Sequence, residues 1–447
     1  MNEYRPDGEA LGRLKSIVED LLREAKKQGA SAAEAGISVD KGLSVTARLG
    51  ELETLEHHRN QGLGITVYFG QRKGSASSTD LSLGAIAETV SAACSIARHA
   101  SEDEFAGLPD EYLLAREFPE LDLYHPWDID AEHAVDLALV CENAARDYHP
   151  DINNSEGATL STHEGLRVMA NSLGFLHGYP TSRHGLSCSV LGRRGESMQR
   201  DYWYTVGRDW RELEAPESVG RKAAERTVRR LGGQSVSPRE CPVLYAAEAA
   251  TGLIGHFVGA IRGGSLYRKS SFLLDSLGKA VFPSFMRIRE QPHLPKALGS
   301  APYDSEGVAT KPHDLVSNGV VKSYVLSCYS ARKLGMQTTG NAGGLHNLIV
   351  EPGELDAPGL LRKMGNGILV TELMGQGVNG MTGDYSRGAA GFWVENGEIV
   401  HPVEEITIAG NLKDMFRNLV AVGSDVDLRG NTRTGSILIE SMTVAGS

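Results

Sequence analysis

Apolar residues recur at helical spacing at Leu11, Leu14, Ile17, Val18, Leu21, Leu22 and Ala25, predicting an amphipathic helix over roughly residues 10–28 that stops at Gly29. Three short runs of alternating apolar and polar residues follow: EAGISVD, LSVTARL and GITVYFG. Period-two alternation is the pattern of a half-buried strand, so they are predicted strands of one antiparallel sheet. LSLGAIAETVSAACSIARHA is a predicted second helix with Ile86, Val90, Ala93 and Ile96 on one side, and EHAVDLALVCENAARDY a third. Strand-like alternation returns between about residues 151 and 210 (GLRVMANS, GLSCSVLG, RDYWYTVG), and a charged helix follows at about 216–231. Helices and strands are mixed without a regular β-α-β order, which predicts an α+β fold rather than a doubly wound sheet.

The polar stretch LGGQSVSPRE, residues 231–240, is the best boundary, giving an N-terminal α+β domain (1–235) and a β-rich C-terminal domain (236–447), barrel-like or a sandwich. Asn318-Gly319 and Asn396-Gly397 each sit between apolar runs, and Asn-Gly tolerates the positive φ of a type I′ hairpin turn. The C-terminal part also carries TGLIGHFVGAIRGG, where Ala250, Leu253, Ile254, Phe257, Val258 and Ile261 keep helical spacing despite the glycines. Gly252, Gly255 and Gly259 fall on one face. Each glycine costs about 1 kcal/mol relative to alanine in a helix interior, so a row of them predicts another backbone passing close, in the core, a partner or a bound chain. No second ligand type lies at metal spacing from His256; Glu248 is on a different face.

A length of 447 residues suits two or three domains. The 52 glycines, about 12% against a usual value of about 7%, imply many turns and close approaches in a β-rich part. The formal charge of −12, with no basic stripe interleaved with aromatics, argues against nucleic acid. Cys94, Cys141, Cys188, Cys241 and Cys328 are odd in number, far apart and never in C-x-x-C spacing, which fits neither a disulfide framework nor a thiolate zinc knot. The stretch MNEYRPDGEALGRLK has no apolar core of a signal peptide, and no apolar run approaches 18 residues, so a soluble cytoplasmic chain with no membrane role is expected.

Three further local motifs are candidate sites. His163-Glu164 begins a zincin signature, but Arg167 stands where the second histidine belongs and the segment reads as a turn into a strand, so a chance dipeptide is the better account. Gly375-Gln376-Gly377-Val378-Asn379-Gly380 is a literal G-x-G-x-x-G after a strand-like run, yet no helix can open in MTGDYSRGAAGFW to meet a pyrophosphate, so it reads as a glycine-rich connection. Asp384, Tyr385 and Arg387 cluster ahead of a hairpin and read equally well as a loop-borne binding surface or a salt-bridged turn. There is no Walker A sequence and no G-x-S-x-G elbow.

ATGLIGHFVGAIRGGSLYRKSSFLLDSLG, TELMGQGVNGMTGDYSRGAAGFWVENGEI and ITIAGNLKDMFRNLV together resemble the TldD/PmbA family, once described as modulators of DNA gyrase. The resemblance implies a cytoplasmic zinc metallopeptidase built from two paralogues. One, TldD-like, carries an H-E-x-x-x-H helix and a late cysteine. Carried onto this chain, the first ligand position is Gly255, the glutamate position His256, the second histidine position Ala260 and the cysteine position Thr434. None of the three ligand positions offers an imidazole, thiolate or carboxylate. The resemblance therefore implies a catalytically silent subunit without a metal or other cofactor of its own. Zinc is expected on a TldD-like heterodimer partner, or else the chain is a homodimer when alone. His256, Asp384, Tyr385 and Arg387 form the candidate surface for an unfolded peptide or the partner. The alternative is a self-associating binding or assembly protein with no proteolytic role.

Overall fold

The computed structural model describes residues 8–446. Residues 1–7, the start of the stretch read above for a leader, lie outside the described residues. The chain opens with α1 (Gly8–Lys27), β1 (Ala32–Arg48), β2 (Glu51–Phe69), β3 (Arg72–Ser78), α2 (Leu83–His99), α3 (Ala131–Arg146), β4 (Ile152–Asn171), β5 (Leu176–Arg194), β6 (Ser197–Gly207) and α4 (Pro216–Arg230). These strands form one antiparallel six-stranded sheet in the order β3-β2-β1-β4-β5-β6.

Alternation along β1 sends Ala33, Ala35, Ile37 and Val39 into a core with α1 and α2, and Leu43, Val45 and Ala47 into a second core with α3 and α4. All four helices therefore cover one face. The other face carries Gly36, Ser38, Asp40 and their neighbours and has no helical cover. EAGISVD and LSVTARL, expected as separate strands, are two halves of the single strand β1, because the KG between them is paired across to both neighbours. β2 also begins well before GITVYFG. Its first half, ELETLEH, is exposed on both faces and held by backbone pairing to β1, so it has no alternation to detect. Ile96 is a further correction. It is 51% exposed, while Cys94 and Ala97 take the buried face of α2 beside Ile86, Val90 and Ala93.

The second half comprises β7 (Arg239–Tyr245), α5 (Ala247–Ala260), α6 (Gly263–Tyr267), β8 (Ile288–Glu290), β9 (His313–Ser317), β10 (Val320–Val321), α7 (Cys328–Lys333), β11 (Leu348–Val350), α8 (Ala357–Met364), β12 (Gly367–Met374), β13 (Asp384–Glu395), β14 (Glu398–Asn411), α9 (Leu412–Arg417), β15 (Leu419–Val422), β16 (Thr432–Arg433) and β17 (Ile437–Gly446). The order β14-β13-β12-β7-β17, closed by β14 pairing with β17, is a five-stranded barrel. The C-terminal half is thus a barrel rather than a sandwich, and the fold is α+β. Asn318 and Asn396 have φ of 52° and 54°, and the following glycines are also positive, so both Asn-Gly pairs turn their hairpins as their chemistry predicts. Five short strands, β10-β9-β8-β11-β16, make a separate sheet beside the barrel.

Polar side chains join the N-terminal layers to the barrel half. Arg226 of α4 reaches Glu248 of α5 at 2.6 Å, and Arg230 reaches Glu372 of β12 at 2.5 Å. The Arg332 guanidinium donates to the carbonyls of Phe105, Gly107 and Leu108. Charge-assisted bonds of this kind are stronger than neutral ones and fix orientation as well as distance.

Candidate functional site

α5 follows β7 with only Ala246 between them, and the Ala246 N–H donates to the Val370 carbonyl of β12, so the barrel sets where the helix starts. Ala250, Leu253, Ile254 and Phe257 are buried in the barrel-side core with Tyr245 and Phe416. Gly252, Gly255 and Gly259 look the other way. A Cβ built on any of them meets nothing within 4 Å. Of the three readings of this glycine row, this overturns close approach in the core: among the described residues, no backbone lies against this face. Such an approach does occur at Gly220 of α4, where a Cβ would overlap the Cys141 carbonyl of α3. The glycines of α5 leave open space instead. Gly255→Ala is therefore expected to stabilise the isolated chain by up to about 1 kcal/mol, because alanine is the better helix former and has room. A thermal or urea melt reads this; a loss of stability would mean that the face is filled.

The open space is a cleft of about 320 Å³ lined by Gly255, His256, Gly259, Ala260, Gln376 and Arg387, among others. The ring of Tyr385 stands edge-on to His256, centroids 5.8 Å apart, and Arg387 lies two residues further along the same face of β13. His256 Nε2 and the Tyr385 hydroxyl are both buried without a hydrogen-bond partner. Burial, and secondarily the Arg387 charge, push the His256 pKa below its ordinary value, so the ring is neutral at pH 7. A neutral imidazole offers one donor and one acceptor. Burial pushes the Tyr385 hydroxyl upward, so it too stays neutral and able to donate. An orphaned polar atom on a residue that lines an open cleft, as His256 Nε2 is, is unusual in a folded chain, because it loses its bonds to water on burial.

The structure thus brings His256, Tyr385 and Arg387 together and leaves Asp384 apart. Asp384, Tyr385 and Arg387 lie in β13, not in a loop, so alternation points Asp384 to the opposite face. There Asp384 accepts from Thr382 Oγ1 at 2.6 Å and Asn411 Nδ2 at 3.1 Å. Tyr385 is only 2% exposed, packs in the barrel core beside Tyr245 and is not among the residues lining the cleft, so it backs His256 rather than forming surface. Thr434, just after β16, is fully buried, donates to the Gly435 carbonyl and is not among the residues lining the cleft. Gln376 was missed as a site residue. It belongs to the G-x-G-x-x-G run, which is no dinucleotide loop: it folds back on β13 through a Val378–Tyr385 bridge, with Gly377 tight against the Ser386 carbonyl. His163 and Glu164 lie within β4 rather than at a turn into it. His163 sits 3.2 Å from Asp40, and Glu164 accepts from the Tyr124 hydroxyl at 2.6 Å.

The sequence profiles of three successive PmbA/TldA metallopeptidase domains match this chain: domain 1 over residues 33–97, the central domain over 124–231 and the C-terminal domain over 238–446. The chain belongs to the PmbA/TldD metallopeptidase family. It is 52% identical to Metalloprotease PmbA of Escherichia coli O157:H7, over 95% of this chain and 94% of that protein. It is 50% identical to a PmbA homolog of Haemophilus influenzae, over 97% and 96%. A crystal structure from Bacteroides thetaiotaomicron, described as a modulator of DNA gyrase, superposes with a TM-score of 0.93 at 27% identity, covering 99% of this chain and all of the other. TldE from Thermococcus kodakarensis shares the fold, with a TM-score of 0.84 at 20% identity over 96% of this chain and all of that one.

The family name implies a metal, and the cleft residues do not fit one. Gly255 and Ala260 carry no donor, His256 is a single imidazole, and the charge beside it is the cation of Arg387. Among the described residues, no three His, Cys, Asp or Glu side chains gather as a metal site would require. No helix among the described residues is long and apolar enough to cross a membrane.

Proposed function

We propose that this chain is the non-catalytic subunit of a heterodimeric, cytoplasmic zinc metallopeptidase that cleaves unfolded peptides. A TldD-like paralogue supplies the zinc, the activated water and the general base. This chain supplies a wall of the peptide channel. The observation that carries the reading is the α5 cleft. Glycine and alanine stand at the ligand positions of the family helix, while His256 lines the cleft between α5 and β13 with its Nε2 unpartnered. This imidazole suits hydrogen bonding to a peptide backbone, a recognition mode with little sequence preference. The neutral imidazole next to Arg387 suits positioning, since no metal-bound water is at hand for it to activate.

The test is co-purification with a TldD-like protein from the same genome, followed by peptidase assays of each chain and of the pair. Activity is expected from the pair and not from this chain alone, which should hold no stoichiometric zinc when prepared without a histidine tag. His256→Ala should leave the turnover number of the pair intact and change at most the peptide affinity. One tightly held zinc in this chain overturns the proposal. So does loss of turnover in His256→Ala with assembly and peptide binding normal.

A further inference from the structure

On the sheet face that the helices leave bare, Arg167 of β4 and Arg183 of β5 are both exposed. Arg167 pairs directly with Tyr179, and Tyr179 and Arg183 are an even number of residues apart on β5, so all three share that face. Neither arginine makes an ion pair among the described residues. Arg208, just beyond β6, differs from both. It is 8% exposed, and its three nitrogens donate to the carbonyls of Ala297 (3.1 Å), Ser182 (3.1 Å) and Leu298 (2.7 Å). Its guanidinium is fixed in place, yet among the described residues no carboxylate pairs with it. Burial, with Arg183 and Arg167 adding repulsion, lowers its pKa to about 10, so it remains charged at pH 7. A buried cation without a counter-ion is expensive, and this chain carries a net charge of −12.

Arg183 and Arg208 line a pocket of about 700 Å³ together with Tyr202 and Tyr204. The two carboxylates on its wall are already engaged: Glu248 with Arg226 at 2.6 Å, and Asp427 with Arg429 in two bonds of 2.9 Å. That leaves two positive charges facing the cavity. The floor of this pocket includes Gly252, while Gly255 and Gly259 belong to the His256 cleft. The bare face of α5 thus runs from one cavity to the other. At 1.5 Å per residue, Gly252 and Gly259 are about 10 Å apart along the axis, the length of about three residues of extended peptide.

Building on the peptide-channel reading, we propose that Arg183 and Arg208 bind a carboxylate of the peptide that crosses α5, about three residues from the one seated over Gly259 in the His256 cleft. The guanidinium fork matches a carboxylate in two parallel bonds, which a lysine would not reproduce. The carboxylate comes from an acidic side chain or from a chain terminus, and the chemistry is the same for both.

The test is fluorescence anisotropy on the full chain with three labelled, unstructured decapeptides: one with a central Glu-Glu and an amidated end, one with Gln-Gln and an amidated end, and one with Gln-Gln and a free C-terminal carboxylate. The Glu-Glu peptide, or the free-end peptide if the chain terminus is the natural anion, is expected to bind about tenfold tighter than the amidated Gln-Gln peptide. Arg183→Gln, an exposed substitution that spares the core, should bring the tighter peptide down to the level of the amidated Gln-Gln peptide. The preference should also fade at about 1 M salt, where the Debye length is only about 3 Å. Equal binding of all three peptides overturns this inference alone, and so does a preference that survives Arg183→Gln. Failure of every peptide to bind overturns the peptide-channel reading with it. A twelve-residue single-stranded oligonucleotide that binds more tightly than the best peptide overturns the carboxylate assignment.

Discussion

Gly255→Leu is expected to weaken peptide binding by at least about tenfold, or about 1.4 kcal/mol, while the isolated chain keeps its fold. A leucine side chain at this position projects into the cleft, where the built Cβ meets no atom within 4 Å, so folding is not overpacked. The volume it takes is volume a ligand needs. Anisotropy with an unstructured peptide gives the affinity, and a urea melt gives the stability, expected within about 1 kcal/mol of the parent. Undiminished peptide affinity would remove the cleft from the binding path. A large drop in stability would mean that the face packs against something within the chain after all.

Glu290→Ala is expected to destabilise the chain by about 3–5 kcal/mol, the cost of breaking a buried, hydrogen-bonded carboxylate site. Glu290, the last residue of β8, is 1% exposed. Its oxygens accept two bonds of 2.9 Å from Asn341 Nδ2, one of 2.7 Å from the His346 N–H and one of 2.8 Å from His346 Nδ1. Removing the carboxylate leaves the His346 donors buried without acceptors and Asn341 Nδ2 with only the Gly344 carbonyl at 3.4 Å. Burial, the largest influence on this group, pushes its pKa up, but the bonds from His346 and Asn341 together outweigh it and hold the carboxyl below its ordinary range. A pKa lower in the folded than in the unfolded state gives stability that is present above the unfolded value, about 4.3, and lost as pH falls through the folded value. Glu290→Gln should therefore fall short of the parent at pH 7 and approach it in acid. Urea midpoints at both pH values decide the matter; a loss under about 1 kcal/mol for Glu290→Ala at pH 7 would contradict the argument.

The secondary structure was legible where one face of an element is buried by one layer. α1 shows this: Leu14, Val18, Leu21 and Ala25 repeat at the helical period and are the residues its core takes. The Asn-Gly hairpins were legible because their turn conformation depends on two residues alone. ELETLEH was not, since a strand exposed on both faces carries no alternation. The glycines of α5 were legible as unusual but not as open. The same residue that permits contact between α3 and α4 at Gly220 leaves a void at Gly255, and only the position of neighbouring chains distinguishes the two.

The sequence by itself determined the family, the α+β class and the absence of ligand side chains at Gly255, Ala260 and Thr434, because residue identity at a position needs no coordinates. It also placed His256, Tyr385 and Arg387 on the list of candidates. Only the tertiary structure decided that these three meet and that Asp384 does not. The reason is that Asp384 lies on a strand whose register alternates its faces, and the barrel turns one of those faces toward α5. Arg167, Arg183 and Arg208 lie on separate stretches of chain and carry no shared local pattern. Sheet pairing puts Arg167 and Arg183 on one face, and three backbone carbonyls hold Arg208 nearby, so the site shared by Arg183 and Arg208 exists only once long-range pairing has formed.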